Sequence, residues 1–241
     1  MPPTKSFAKK IPKKYQPPGF HILHEDVDLI VGIKEAGYLT VSALWNKEKT
    51  IHSALNEYVR KGNSKSRKCV FVVHRLDQGT SGILVFAKTE AVQFYLKDNW
   101  KSTTKTYYAV VSGKLTEKKG TISSYLEEDE DYVIHSNTEG KGKLAETEYQ
   151  VLKETPHFSL LKINLLTGRK NQIRVHLADK GNPVVGDTKY GKKETKKHHH
   201  LALHAAALEF THPHNQKRMR FACPPPPYFN QLIPYNYEGQ S

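Results

Sequence analysis

Cysteine is scarce in this chain, and long apolar runs are missing. Only Cys69 and Cys223 occur among 241 residues, far apart and outside any CxxC pair. That excludes a disulfide framework, and Cys69, at the head of an apolar run, reads as a small packing residue. No segment approaches the roughly 20 apolar residues that a membrane helix requires, and the N-terminus lacks the apolar core of a signal peptide. A protein of the reducing cytoplasm is expected. Acid is also short: 24 Asp plus Glu stand against 37 Lys plus Arg, a net charge of +13. Such a surplus attracts polyanions, of which nucleic acid is the commonest soluble one.

Several catalytic signatures are missing too. There is no HExxH and no Cys/His set with zinc-finger spacing. The run His198, His199, His200 cannot aim three consecutive rings at one metal from a regular element. Ser81 lies in "GTSGI", which is not G-x-S-x-G, and a strand rather than a helix follows it, so a serine hydrolase is set aside. No phosphate-cradling loop is present, and neither metal nor cofactor is expected.

What is present suffices for a globular fold: 37% of residues are hydrophobic and 13 are Tyr. Residues 1–19, with Lys5, Lys9, Lys10, Lys13 and Lys14 and no acid, read as a flexible basic arm. Residues 20–241 read as one domain. "DLIVGIKEAGYLTV" (28–41) suggests a strand, a Gly-containing turn and a second short strand. "TIHSALNEYVRKG" places Ile51, Leu55, Tyr58 and Val59 at helical spacing, with Gly62 as a stop. "CVFVVH" and "GILVFAK" are apolar strands on either side of a turn, and Thr89 caps a helix with Val92, Tyr95 and Leu96 in its stripe. Strands then follow one another from 105 to 166 without intervening helices. A helix over 171–181 carries Ile173 and Leu177 on one face. "HLALHAAALEFTHP" fits helix or strand, and "CPPPP" forces an extended end. The pattern is α+β, built on a mixed, mostly antiparallel sheet.

The turn in "VHRLDQGTSGILVFAKT" (73–89) places Arg75 and Asp77 at the rim of a sheet. A partly shielded carboxylate there needs a partner or goes neutral. Asp77 could equally be an inert turn residue that caps backbone N–H groups. In "LLTGRKNQIRVHLADKG", Arg169 and Arg174 bracket a helix start, where the dipole disfavours cations unless an acid or phosphate lies opposite. Tyr107 and Tyr108, adjacent in a strand, point to opposite faces.

Six ordered motifs together settle what single ones leave open. "HRLDQGTSGILVFAKT" resembles the signature of the RluA-type pseudouridine synthases, and "DLIVGIKEAG", "KTYYAVVSG", "TGRKNQIRVHL", "GNPVVGDTKYG" and "LALHAAALEFTHP" follow that family's order over about residues 25–223. The resemblance implies a stand-alone catalytic domain with a central cleft, without an S4-like RNA-binding domain. It implies Asp77 as catalytic aspartate, Tyr107 as active-site tyrosine and Arg174 as the basic partner of the aspartate. Arg75 is implied to fill the space of an extruded base, and Arg169, Asn171 and Gln172 to contact substrate. Asn171 stands where the family has His, and Glu35 where it has Pro. The implied reaction converts uridine to pseudouridine in ribosomal or transfer RNA, by a monomer without cofactor. A glycoside hydrolase would need a second paired carboxylate, and the acids at 127–131 read as a solvated run. A non-catalytic RNA-binding module remains the other reading.

Overall fold

Largely buried apolar stretches at 29–33 and 83–87 form interior strands, whereas strands across 119–154 keep one face partly exposed. The structure, a computed structural model, describes residues 12, 15–42, 50–191 and 197–237. Most of the basic arm, and Lys192, Lys193 and Lys196, lie outside the described residues. The chain divides into two compact units, one running to Ser102 and including Phe210–Met219, the other made of Thr103–Glu209 and the chain from Arg220 onward.

In the first unit, β1 (Phe20–Glu25), β2 (Leu29–Lys34) and β4 (Ser81–Ala87) pair antiparallel in that order, with Val31 opposite Val85 and Ile33 opposite Ile83. Every residue of β4 is buried, which is why its sequence reads as one apolar run rather than an alternation. Helix α1 (Ile51–Arg60) starts at Thr50, whose hydroxyl accepts from the Ser53 amide, and buries Ile51 and Leu55. It ends with Lys61 and Gly62 at positive φ, close to the expected stop. Helix α2 (Glu90–Asp98) starts at Thr89, whose hydroxyl accepts from the Val92 amide, and buries Val92 and Leu96. Two expected strands are shorter than read. The second strand of 28–41 is a single bridge between Leu39 and Thr50. The strand over "CVFVVH" contracts to β3 (Phe71–Val72), because side chains take over its ladder bonds: Gln93 donates to the Val72 carbonyl and His74 accepts from the Val85 amide.

The second unit holds β5 (Thr104–Ser112), β6 (Lys119–Glu128), β7 (Ile134–Asn137), β8 (Lys143–Glu154), β9 (Phe158–Leu165), α3 (Gln172–Asp179), β10 (Leu203–Thr211), β11 (Arg218–Ala222) and α4 (Tyr228–Leu232). The strand ends Phe210–Thr211 and Arg218–Met219 count with the first unit. Its strand order is β10-β5-β9-β8-β6-β7, and each of those pairs is antiparallel. The α+β class expected from the sequence holds. The segment that fitted helix or strand is β10: it is buried almost throughout, so no polar face reveals its period. After the prolines of 224–227 the chain enters α4 rather than remaining extended, and Phe229 is fully buried there. Pro227 immediately before the helix suits its start, where no backbone N–H is needed.

Candidate active site

In the first unit the Asp77 turn is braced on both sides of the aspartate. Leu76, before it, gives its amide to the Thr40 hydroxyl and receives that hydroxyl on its carbonyl, at 3.2 and 2.9 Å. Gln78, after it, accepts the Gly37 amide on its carbonyl at 2.8 Å, and its side-chain amide donates to the Gly37 carbonyl at 3.0 Å. The Asp77 carbonyl itself accepts from the Thr80 amide, closing the turn. Asp77 is half-buried and Arg75 is exposed.

Beneath this turn lies a residue the sequence reading missed. Lys34, at the end of β2, is fully buried, and its ammonium donates to the carbonyls of Glu35 and Gln78 at 2.9 and 3.0 Å. Burial pulls its pKa down to about 7, while the charge of Asp77 pulls it back up. A lysine closing an otherwise apolar strand was the available signal. Without the fold, nothing distinguished it from a surface cation.

In the second unit Tyr107 lies on β5, opposite Ile163 of β9 and Ala205 of β10, and is 8% exposed. Tyr108 is buried as well, with its ring centroid 5.0 Å from that of Tyr237. Lys105, two residues before Tyr107 on the same strand face, is buried, which lowers its pKa.

Arg174 has an acid opposite it, as its place near a helix start demanded. Its Nε and Nη2 donate to the two carboxylate oxygens of Asp187 at 2.7 and 2.8 Å, a forked pair. Asp187 is fully buried. Burial alone would raise its pKa, but the Arg174 fork and the amides of Tyr190 and Lys189 hold it below the ordinary carboxylate range. Arg174 Nη1 also donates to Asn171 Oδ1 at 3.1 Å, and its guanidinium carbon lies 5.2 Å from the Tyr190 ring centroid. Asp187 and Tyr190 both fall within "GNPVVGDTKYG", but no spacing rule tied them to Arg174.

The other expected contacts have distinct environments. Gln172 is 2% exposed and bonded at all four positions: its oxygen accepts from the Thr167 hydroxyl and the Arg169 amide, and its nitrogen donates to the Glu146 carbonyl and the Thr147 hydroxyl. These bonds fasten it to the 167–169 turn and to β8. Arg169 is exposed; its Nε donates to the Leu144 carbonyl, and it borders a recess of about 360 Å³ shared with Lys143 and Lys170. Thus Asp77 and Arg75 belong to one unit, while Tyr107, Arg169, Asn171, Gln172 and Arg174 belong to the other.

Among the described residues, one group of potential metal ligands is close-set: Asp26, Asp28 and His212, in the first unit. Its hydrogen bonds make it a pin. His212 Nδ1 accepts the backbone amides of His214 and Asn215, so Nε2 carries the hydrogen and donates to Asp26 at 3.0 Å. Of the histidine run, His198 packs against Phe158 and His200 against Tyr228, so two of the three rings are spent on aromatic neighbours.

A family model described as RNA pseudouridylate synthase matches residues 28–179. The RNA pseudouridine synthase YlyB of Bacillus subtilis is 33% identical over 230 residues, covering 90% of this chain and 73% of the relative. The ribosomal large subunit pseudouridine synthase D of Nitrosomonas europaea is 35% identical over 215 residues, 85% of this chain and 62% of that protein. Among solved structures, human RNA pseudouridylate synthase domain containing 4 aligns with a TM-score of 0.72 at 22% identity, over 86% of this chain and 89% of its own. Human RNA pseudouridylate synthase domain containing 1 aligns at 0.70 and 25% identity, over 88% and 86%.

Proposed function

The chain belongs to the RNA pseudouridylate synthase family, and from that premise we propose that it isomerises uridine in a ribosomal or transfer RNA with Asp77 as the acting carboxylate. The reaction breaks the N1–C1′ bond, turns the base and forms a C5–C1′ bond, without net redox change or energy input. The reacting atoms lie inside the RNA stack, so the uridine is flipped out first. Arg75, exposed on the Asp77 turn, inserts its planar guanidinium where the base was, and Tyr107 stacks on the flipped base. Asp77 acts on the ribose, as nucleophile at C1′ or as base at C2′, and Arg174 is carried over as a further catalytic residue. Arg169 contacts the RNA beside the flipped nucleotide. The protein acts as a monomer in the cytoplasm, where its free thiols, Cys69 and Cys223, stay reduced.

The observation that carries this reading is the bracing of the Asp77 turn. Leu76 and Gln78 supply backbone groups that hold the turn to residues 34–40 on both sides of the aspartate. A fixed backbone is what a reacting oxygen needs, since small misplacements cost large factors in rate. Tritium release from RNA labelled at uridine C5 tests the reading, with wild type and Asp77→Asn in parallel. Release by wild type alone is expected. Release by the variant at more than a trace would remove Asp77 from its role.

A further inference from the structure

We propose that Asn171, together with Asp187 and Tyr190, is a positioning residue that fixes the guanidinium of Arg174 before RNA arrives. The proposal rests on the isomerase reading above and gives Asn171, expected to touch substrate, a different job.

The four residues close a ring. Asn171 Oδ1 accepts from Arg174 Nη1 at 3.1 Å, and Asn171 Nδ2 donates to the Tyr190 hydroxyl oxygen at 3.1 Å. That hydroxyl oxygen also accepts the Ile134 amide at 3.0 Å, which ties it to β7. Asp187 takes Nε and Nη2 of Arg174 in its fork, and its Oδ1 accepts the Lys189 and Tyr190 amides, each at 2.9 Å. Three of the five N–H donors of Arg174 are therefore committed to two acceptors on different chain segments, while the Tyr190 ring covers one face. A guanidinium held this way presents its charge at a fixed place and angle.

Asn171 suits its post for a backbone reason. It has φ of 54° and ψ of 14°, left-handed, just before α3, where Asn is among the few non-glycine residues that sit without large strain. Its side chain does not cap the helix, so both ends of the amide are available for the ring. Because the amide is engaged on both ends inside the protein, replacing it should alter the arginine rather than RNA capture. Histidine, the residue the family places here, also tolerates this backbone and can bridge the same two neighbours.

The test compares wild type with Asn171→Ala, Asn171→His and Tyr190→Phe, each first shown to melt within a few degrees of wild type. Two readouts are taken: single-turnover isomerisation with RNA affinity, and the Arg174 Nε–H resonance in ¹⁵N-arginine-labelled protein without RNA. Asn171→Ala is expected to slow the chemical step about tenfold while leaving RNA affinity within about twofold. Its Arg174 resonance should exchange faster with water. Asn171→His should recover most of the rate. Tyr190→Phe should behave like Asn171→Ala, and the double variant should fall no further than the worse single one, because both open the same ring. Lost affinity at an unchanged rate, or an unaltered rate and resonance, would overturn the proposal. An inactive wild type whose arginine resonance still responds to Asn171→Ala would sink the isomerase reading and leave the clamp standing.

Discussion

The ammonium of Lys34 donates to the carbonyl of Gln78 at 3.0 Å, so a fully buried cation supports the residue immediately after Asp77. Its pKa is about 7 in the fold against 10.5 as the ordinary value, with burial the larger cause and Asp77 opposing it. Between those two values the unfolded chain binds more protons than the folded one. The contribution of this group to stability is therefore fully present above the unfolded value and is lost as pH falls toward 7. Wild type and Lys34→Met, melted in chemical denaturant from pH 7 to 10, should converge or cross in favour of wild type as pH rises. A constant gap between them would contradict this.

Lengthening the aspartate should be as damaging as neutralising it. In Asp77→Glu the turn keeps its Leu76 and Gln78 bonds, but the reacting oxygen moves by one methylene. The expected loss is at least about a hundredfold in the isomerisation rate, with the melting temperature nearly unchanged. Tritium release and a thermal melt on one preparation check both halves.

Gly186 holds the position that delivers Asp187. Its φ is +78°, and a Cβ there would come 2.0 Å from the His200 carbonyl oxygen, which is backbone and cannot move aside cheaply. Gly186→Ala should destabilise by about 2 kcal/mol or more, the cost of strain at positive φ plus displacement of residues 200–201. The shift of the denaturant midpoint measures it. A parallel drop in isomerisation rate should follow as the Arg174–Asp187 fork loosens.

Binding should depend strongly on salt. Arg169, Lys143 and Lys170 border one recess, although Lys170 is also paired with Glu128, and the whole chain carries +13. If several phosphates are contacted, log affinity falls linearly with log salt at roughly 0.7 to 0.9 per contact. Arg169→Ala should reduce that slope by about one unit while leaving the sequence preference intact. A flat response between low and physiological salt would refute electrostatic capture.

What was legible in the sequence was whatever acts locally. Thr89 lies within hydrogen-bond reach of the helix start it caps, and the β-rich segments of 105–166 are marked off from one another by their own turns. The apolar run of β10 concealed its period because both faces are buried, and β3 lost its length to side chains from elsewhere in the fold, Gln93 and His74. The site divides the same way. Asp77, Arg174 and Tyr107 are candidates named from a motif resemblance, whereas Lys34 beneath Gln78 and Asp187 across from Arg174 depend on side-chain directions that spacing does not encode. The internal bonds of Gln172, to the 167–169 turn and to β8, likewise depend on the fold and not on motif spacing.

The register of β5 carries a cost in time. The strand that bears Tyr107 is flanked by β9 on one side and by β10 on the other, with Tyr107 opposite both Ile163 and Ala205. During synthesis the first neighbour leaves the ribosome well before the second. Until residues 203–209 arrive, β5 is a raw edge, apolar along most of its length and able to pair with any passing strand. Closing that edge joins residues almost a hundred positions apart, a slow step by the entropy of loop closure. The newborn chain therefore passes through an interval in which the strand that bears Tyr107 is an unpaired, adhesive edge.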